Sequence, residues 1–258
     1  MKKFKTIFAF LLSAALFIVN CAAYEPVAVR VNGNESGLDA RLIDSTTYVG
    51  LDEAGRMLSE AAGVSIGIDA AEGDCYITAR GRYIGGSDCL SIDGAIYVPI
   101  RSLAKVYNAS VEWRDETRSV DILISANDGI EYGGSYYIAD EVYWLSRIIS
   151  AEAQGEPMPG KILVGNVVLN RMFSDEFPNT IYDVIFDRKY GVQFTPIVNG
   201  MIYKDPTEDS IIAAKICLDA YYISRDALYF LNPSIATNFW IPANRPYITS
   251  VGCHDFYS

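Results

Sequence analysis

The chain has 258 residues, half of them apolar and 21 % charged, with a formal net charge of −11. That length and apolar content suit one large domain or two ordinary ones with proper cores. Neither half is basic, so nucleic acid and anionic lipid surfaces are excluded as expected partners.

The N-terminus reads as a secretory signal over residues 1–23. Lys2, Lys3 and Lys5 precede an uncharged stretch from Thr6 to Val19, and Cys21-Ala22-Ala23 supplies small residues for cleavage after Ala23. Lipidation of Cys21 is the rival reading, for which Asn20 is a poor neighbour. The apolar run is short for a membrane span, and no later segment approaches ~20 apolar residues. No membrane insertion is therefore expected after signal cleavage.

Residues 24–125 carry an internal repeat. Thr47-Tyr48-Val49-Gly50-Leu51 recurs as Ile96-Tyr97-Val98-Pro99-Ile100. Each copy is followed by a helical pattern, Ala54–Ala62 and Arg101–Tyr107, then by a strand-like run, Val64–Ile68 and Ser110–Trp113. Asn32-Gly33 and Asp93-Gly94 predict tight hairpin turns. The expected fold is a small, strand-rich α+β module built twice. The second copy, IDGAIYVPIRSLAKVYNASVEWRDETRSVDI, resembles the copper amine oxidase N-terminal-like module; the first is looser, with Gly50 where that module has proline. The resemblance implies a non-catalytic accessory domain for wall attachment or spacing. It implies no copper, and this region has no histidine to bind any.

Residues 126–139, with Asn127-Asp128-Gly129 and Gly133-Gly134, read as a linker. Over 140–258 the pattern turns helical. Asp140 is placed to cap a helix running to about Gln154, ended by Gly155 and Pro157. A second helix, about Gly160 to Phe173, is apolar almost all round, as a helix at a domain centre should be. A short helix follows Thr180, and Asp205-Pro206-Thr207-Glu208 reads as a capping box opening a helix to about Tyr222. Ala227–Leu231, Tyr247–Val251 and Cys253–Tyr257 read as strands.

The first of these helices contains an anomaly. Leu145, Ile148, Ile149 and Glu152 stand at i, i+3, i+4 and i+7, so a carboxylate occupies the apolar stripe, with Arg147 and Ser150 on the wetter face. Such a carboxylate is paired, protonated or open to a cleft. The bland reading pairs it with an arginine such as Arg171; the functional one makes it a general acid. The residue pattern alone divides these evenly. Asn166 and Asn170, four apart inside the apolar second helix, need polar partners, and sugar hydroxyl and acetamide groups would suit them.

Other chemistries lack their residues. His254 is the single histidine, whereas a zinc amidase needs two or three such ligands; no metal and no cofactor is expected. Cys217 follows Ala213 and Ala214 on an inner helical face and reads as core, and no G-x-S-x-G elbow supports a Ser–His pair. Cys75 and Cys89 are the local candidates for a disulfide, with four unpaired thiols as the alternative.

AEAQGEP, VVLNR, FPNTIYDVI, QFTPIVNG, PTEDSIIAAK, ALYFLNP and the Trp240 region, in this order and spacing, resemble the SleB-type cell wall hydrolases, a family that includes spore cortex-lytic enzymes. The likeness covers roughly Glu141 to Phe256. It implies a mainly helical, lysozyme-like catalytic domain with a small antiparallel sheet, so the whole chain is expected to be a two-domain α+β protein. It also implies a secreted lytic transglycosylase acting on peptidoglycan glycan strands, at the cell wall or spore cortex. The family's catalytic glutamate falls on Glu152. Substrate contacts fall on Glu156, Asn170, Gln193, Phe194, Tyr229, Asn232 and Trp240, with Arg171 divided between structure and site. The chain departs from the family pattern at Asn166, usually alanine, and Thr195, usually serine. A hydrolytic muramidase, an amidase and a non-catalytic wall-binding protein are the rival readings, and oligomeric state is not legible.

Overall fold

A computed structural model describes residues 24–189 and 191–258; the expected signal segment and Tyr190 lie outside the described residues. In chain order the first unit contains β1 (Glu25–Pro26), β2 (Ala28–Val31), β3 (Asn34–Glu35), β4 (Ala40–Ile43), β5 (Thr46–Gly50), α1 (Leu51–Ala62), β6 (Ile68–Asp69), β7 (Tyr76–Ala79), β8 (Arg82–Gly85), β9 (Leu90–Ile92), β10 (Ala95–Pro99), α2 (Ile100–Val106), β11 (Ser110–Arg114) and β12 (Ser119–Leu123). They form a five-stranded sheet β1-β4-β5-β10-β9, a four-stranded sheet β11-β12-β2-β3 and a three-stranded sheet β6-β7-β8.

The repeat is visible as a local two-fold. Strand β5 of the first copy pairs antiparallel with β10 of the second, and the repeat-equivalent Val49 and Val98 stand opposite each other. On either side Tyr48 faces Pro99 and Gly50 faces Tyr97. Each strand then runs directly into its helix, α1 or α2, and both helices bury a face against the same apolar core. Asn32-Gly33 and Asp93-Gly94 make the expected hairpins, all four with positive φ as a type I′ turn requires. Two further hairpins with the same geometry, at Asp44-Ser45 and Arg80-Gly81, carry weaker signals and were not anticipated.

The second unit contains α3 (Gly133–Tyr136), α4 (Ala139–Ala153), α5 (Met158–Met172), α6 (Ile181–Phe186), α7 (Pro196–Asn199), α8 (Glu208–Leu218), β13 (Tyr229–Leu231), α9 (Trp240–Asn244), β14 (Tyr247–Val251) and β15 (His254–Tyr257). Helix α5 is the central rod: every residue from Gly160 to Arg171 is buried. Helices α4 and α8 pack against it and each other, and the sheet β13-β15-β14 closes one side. Gly165 lets α5 lie close against α8, since a Cβ there would sit 2.7 Å from Cys217 Sγ. Cys217 is core, as expected.

Several local expectations need correcting. Asp140 lies in the first turn of α4, whose N-cap is Ile138 without a side-chain cap bond. Thr207 caps α8, its Oγ1 accepting from Ser210 N–H, so Pro206 precedes the cap and is not the first helical residue. Helix α8 stops at Leu218, four residues early, because Asp219 turns inward and Ala220 adopts φ +61°. Ser150 is buried, not wet: α8 covers that face, and Ser150 Oγ accepts from Thr207 N–H.

Residues 126–139 are not a free linker. Gly133 N–H donates to Arg80 O at 2.9 Å, and a Cβ at 133 would lie 2.3 Å from Gly81 O. The two units meet at Asp219, which is fully buried and takes a two-pronged ion pair from Arg82 (2.7 and 2.8 Å) and another from Lys105 (2.6 Å). Tyr221 fits over Gly85, which has no room for a side chain, and its hydroxyl donates to Gly86 O. Cys75 belongs to the second unit's core, while Cys89 belongs to the first; all four described cysteines are free thiols.

Candidate active site

Helix α4 presents Leu145, Ile148 and Ile149 inward, all fully buried, and Glu152 follows on the same stripe one residue before the helix ends. The chain then turns through Gln154–Pro157, and α5 begins at Met158 with Pro159 in its first turn, where a missing N–H costs nothing. This abrupt turn leaves the carboxyl of Glu152 largely but not wholly enclosed. Among the described residues Glu152 has neither a hydrogen-bond nor an ion-pair partner. Burial alone pushes its pKa up to about 7, because the charged form loses hydration with nothing to replace it.

Arg171 does not neutralise it. The guanidinium lies between the rings of Phe177, Phe194 and Tyr229, about 5 Å from each centroid, and Nε donates to Leu228 O at 2.7 Å. Burial lowers its pKa to about 10. The pairing of Glu152 with Arg171, one of the two readings of the sequence, is therefore absent.

The structure separates the remaining candidates. Asn166 was expected to offer its amide to a sugar, but it is fully buried: Nδ2 donates to Tyr221 O at 3.1 Å and Oδ1 accepts from Ile223 N–H at 2.9 Å. Asn170 Nδ2 donates to Ser224 O and Ala227 O, leaving only Oδ1 for a ligand. Both amides hold the 221–227 segment onto α5, which satisfies them internally. Phe194 is core, 2 % exposed and tilted against Phe230, so it presents no open face to a sugar. Gln193 remains in the loop, half-buried, with Nε2 on Gly191 O.

Tyr229 and Trp240 do come together, through a residue the sequence did not signal. Arg245 lies 4.6 Å over the Tyr229 ring and 5.6 Å over that of Trp240, and donates to the Tyr229 hydroxyl at 2.8 Å. Tyr229 thus sits between two guanidinium groups, those of Arg171 and Arg245. Trp240 is half-exposed and its N–H is capped by Asn238. Asn232 closes its own turn, Oδ1 accepting from Ser234 N–H.

Glu156 is engaged elsewhere. Oε2 accepts from Cys253 N–H at 2.9 Å, and Oε1 lies 3.7 Å from Nδ1 of the buried His254. Its carboxylate faces the β14–β15 turn, which the expectation of a sugar contact did not foresee.

Residues 155–257 match the model of the Cell Wall Hydrolase family; Glu152 lies just before the matched span. The chain is similar to the spore cortex-lytic enzyme of Bacillus subtilis, 36 % identical over 117 residues, which are 45 % of this chain and 37 % of that protein. It is 33 % identical to the spore cortex-lytic enzyme of Oceanobacillus iheyensis over 139 residues, 51 % of this chain and 49 % of the relative. The chain therefore spans less than half the length of these relatives. Among solved structures it is similar to the catalytic domain of the germination-specific lytic transglycosylase SleB from Bacillus anthracis, with 33 % identity, TM-score 0.43, and coverage of 50 % of this chain and 100 % of that one.

Proposed function

The C-terminal region is a cell wall hydrolase domain homologous to the spore cortex-lytic enzymes, and from that premise we propose that it cleaves the MurNAc–GlcNAc bond of peptidoglycan as a lytic transglycosylase with Glu152 as general acid and base. The observation that carries this is the state of Glu152: largely enclosed, without a partner for its carboxyl among the described residues, and with its pKa pushed up to about 7 by lost hydration. A carboxyl so placed is largely protonated in mildly acidic to neutral solution and holds a proton ready for a leaving oxygen.

Most glycosidases need two carboxyl groups. Here the neighbouring Glu156 is already tied to a backbone N–H, which favours a route needing one. Glu152 gives its proton to the glycosidic oxygen as the bond to the muramic anomeric carbon breaks. The C6 hydroxyl of the same sugar attacks that carbon and returns its proton to Glu152, closing an anhydro ring. Intramolecular attack of this kind reaches effective molarities of ~10⁵ M or more, which replaces an activated water. Trp240, half-exposed and steadied by Arg245, is proposed to stack on a sugar face, and Tyr229, held between Arg171 and Arg245, to line the cleft beside it. The first unit, fixed to the second through Asp219, is proposed to ride as an accessory wall-contacting module of an exported protein.

Digestion of purified sacculi and of spore cortex by the full chain, with mass analysis of the fragments, tests this. Anhydromuramic ends are expected, and a preference for cortex would place the substrate there. Reducing ends would indicate a hydrolytic muramidase, free stem peptides an amidase, and unchanged sacculi a binding protein; each would overturn the proposal.

A further inference from the structure

The turn that ends α4 and the turn that joins β14 to β15 are fastened together at three points. Glu156 Oε2 accepts the Cys253 N–H at 2.9 Å. Gly160, in the first turn of α5, has so little room that a Cβ would stand 3.1 Å from Glu156 Cβ and 3.6 Å from Val251 Cγ1. Gly252 adopts φ +59°, and a Cβ there would fall 1.8 Å from Glu156 Oε2. The hairpin turn therefore requires glycine twice over, once for its backbone and once because a carboxylate occupies the space a side chain would fill.

From behind, Lys161 Nζ donates to the Glu156 carbonyl oxygen, with its ammonium buried. In front, His254 packs edge-on to Phe230, with ring centroids 5.3 Å apart, and Nδ1 is buried without a hydrogen-bond partner. The Glu156 side chain, about 10 % exposed, fills the gap between helix end and hairpin. Glu152 stands on the last turn of the helix that this assembly terminates.

We propose that Glu156 is a positioning residue: its carboxylate is a strut that pins the Gly252-Cys253 turn against the end of α4 and so keeps the side chain of Glu152 enclosed. In this role Glu156 gives and takes no proton and touches no sugar. Its geometry, an acceptor for Cys253 N–H and a filler beside His254, is what matters. The inference rests on the reading of Glu152 as the acid, but its physical content, the enclosure of residue 152, is measurable without any substrate.

The experiment is carboxyl NMR titration of Glu152 in the full chain, alongside the pH profile of peptidoglycan cleavage. In Glu156→Ala, water enters beside residue 152 and its pKa is expected to fall by about one unit or more toward the ordinary glutamate range, carrying the alkaline limb of the activity with it. Gly252→Ala is expected to do the same with every carboxylate still present. In Glu156→Gln, the amide oxygen still accepts from Cys253 and the amide nitrogen can donate to His254 Nδ1, so this variant is expected to restore the titration of Glu152. The strut is overturned if Glu152 titrates unchanged in a folded Glu156→Ala or Gly252→Ala protein. It is equally overturned if Glu156→Gln, folded and with Glu152 titrating normally, loses cleavage as completely as removal of Glu152 does. Should Glu152→Gln itself leave cleavage intact, the assignment of the acid fails while the titration still decides the strut.

Discussion

Replacing Glu152 with glutamine should make the protein more stable in alkaline solution while removing the proton donor proposed for cleavage. In the folded chain the enclosure of the carboxyl pushes its pKa up to about 7, against 4.5 for an ordinary glutamate. The shift corresponds to about 3 kcal/mol of preference for the neutral form. Its sign follows from linkage: between those two values the folded state holds a proton that the unfolded state has released, so stability falls as pH rises from about 4.5 and levels off above about 7. Glutamine has nearly the same shape and never ionises. Below pH 4 the two proteins should unfold at nearly the same denaturant concentration, and by pH 8 Glu152→Gln should be the more stable by about 3 kcal/mol. Urea unfolding at closely spaced pH values from 4 to 9 measures this directly. Parallel curves for the two proteins across that range would mean that Glu152 is hydrated or paired in solution and would refute the reasoning.

Three other outcomes follow from the same geometry. If Glu152 is the proposed acid, peptidoglycan cleavage should decline as pH rises through about 7, where its proton is lost; a rate that is flat from pH 6 to 8 would contradict it. Asp219→Ala should cost about 3–5 kcal/mol of unfolding free energy, because it strands the buried Arg82 without its counter-charge, and should loosen the contact between the two units in native-state hydrogen exchange. Asn166→Ala should cost about 1–3 kcal/mol by leaving Tyr221 O and Ile223 N–H unsatisfied; denaturation midpoints equal to the parent's would show that water takes over both bonds.

The helices were legible where periodicity and caps agree: α4 and α5 lie within two residues of their expected bounds, a short α6 follows Thr180, and the three C-terminal strands pair as one antiparallel sheet. The repeat was legible too, but not that its two copies would pair strand to strand at Val49 and Val98, since a pattern in sequence says nothing of register between copies. Asp219 ended α8 early for a tertiary reason: its partners Arg82 and Lys105 lie more than a hundred residues upstream. The anomaly at Glu152 stood out because the apolar stripe around it was regular. Arg245 did not, because one arginine in a loop carries no local signal until the rings of Tyr229 and Trp240 are placed around it. Asn166 and Asn170 stand out in sequence as buried polar groups, but sequence alone does not choose between a sugar and the backbone of residues 221–227 as their partner.

The rate at which the Glu152→Gln protein cuts glycan strands tests the proposed acid most directly. Loss of general acid catalysis predicts a fall of at least about 10²-fold, with the fold and sacculus binding retained. Cleavage within a few-fold of the parent would mean that another group supplies the proton, and the reading of this carboxyl as the acid would be wrong.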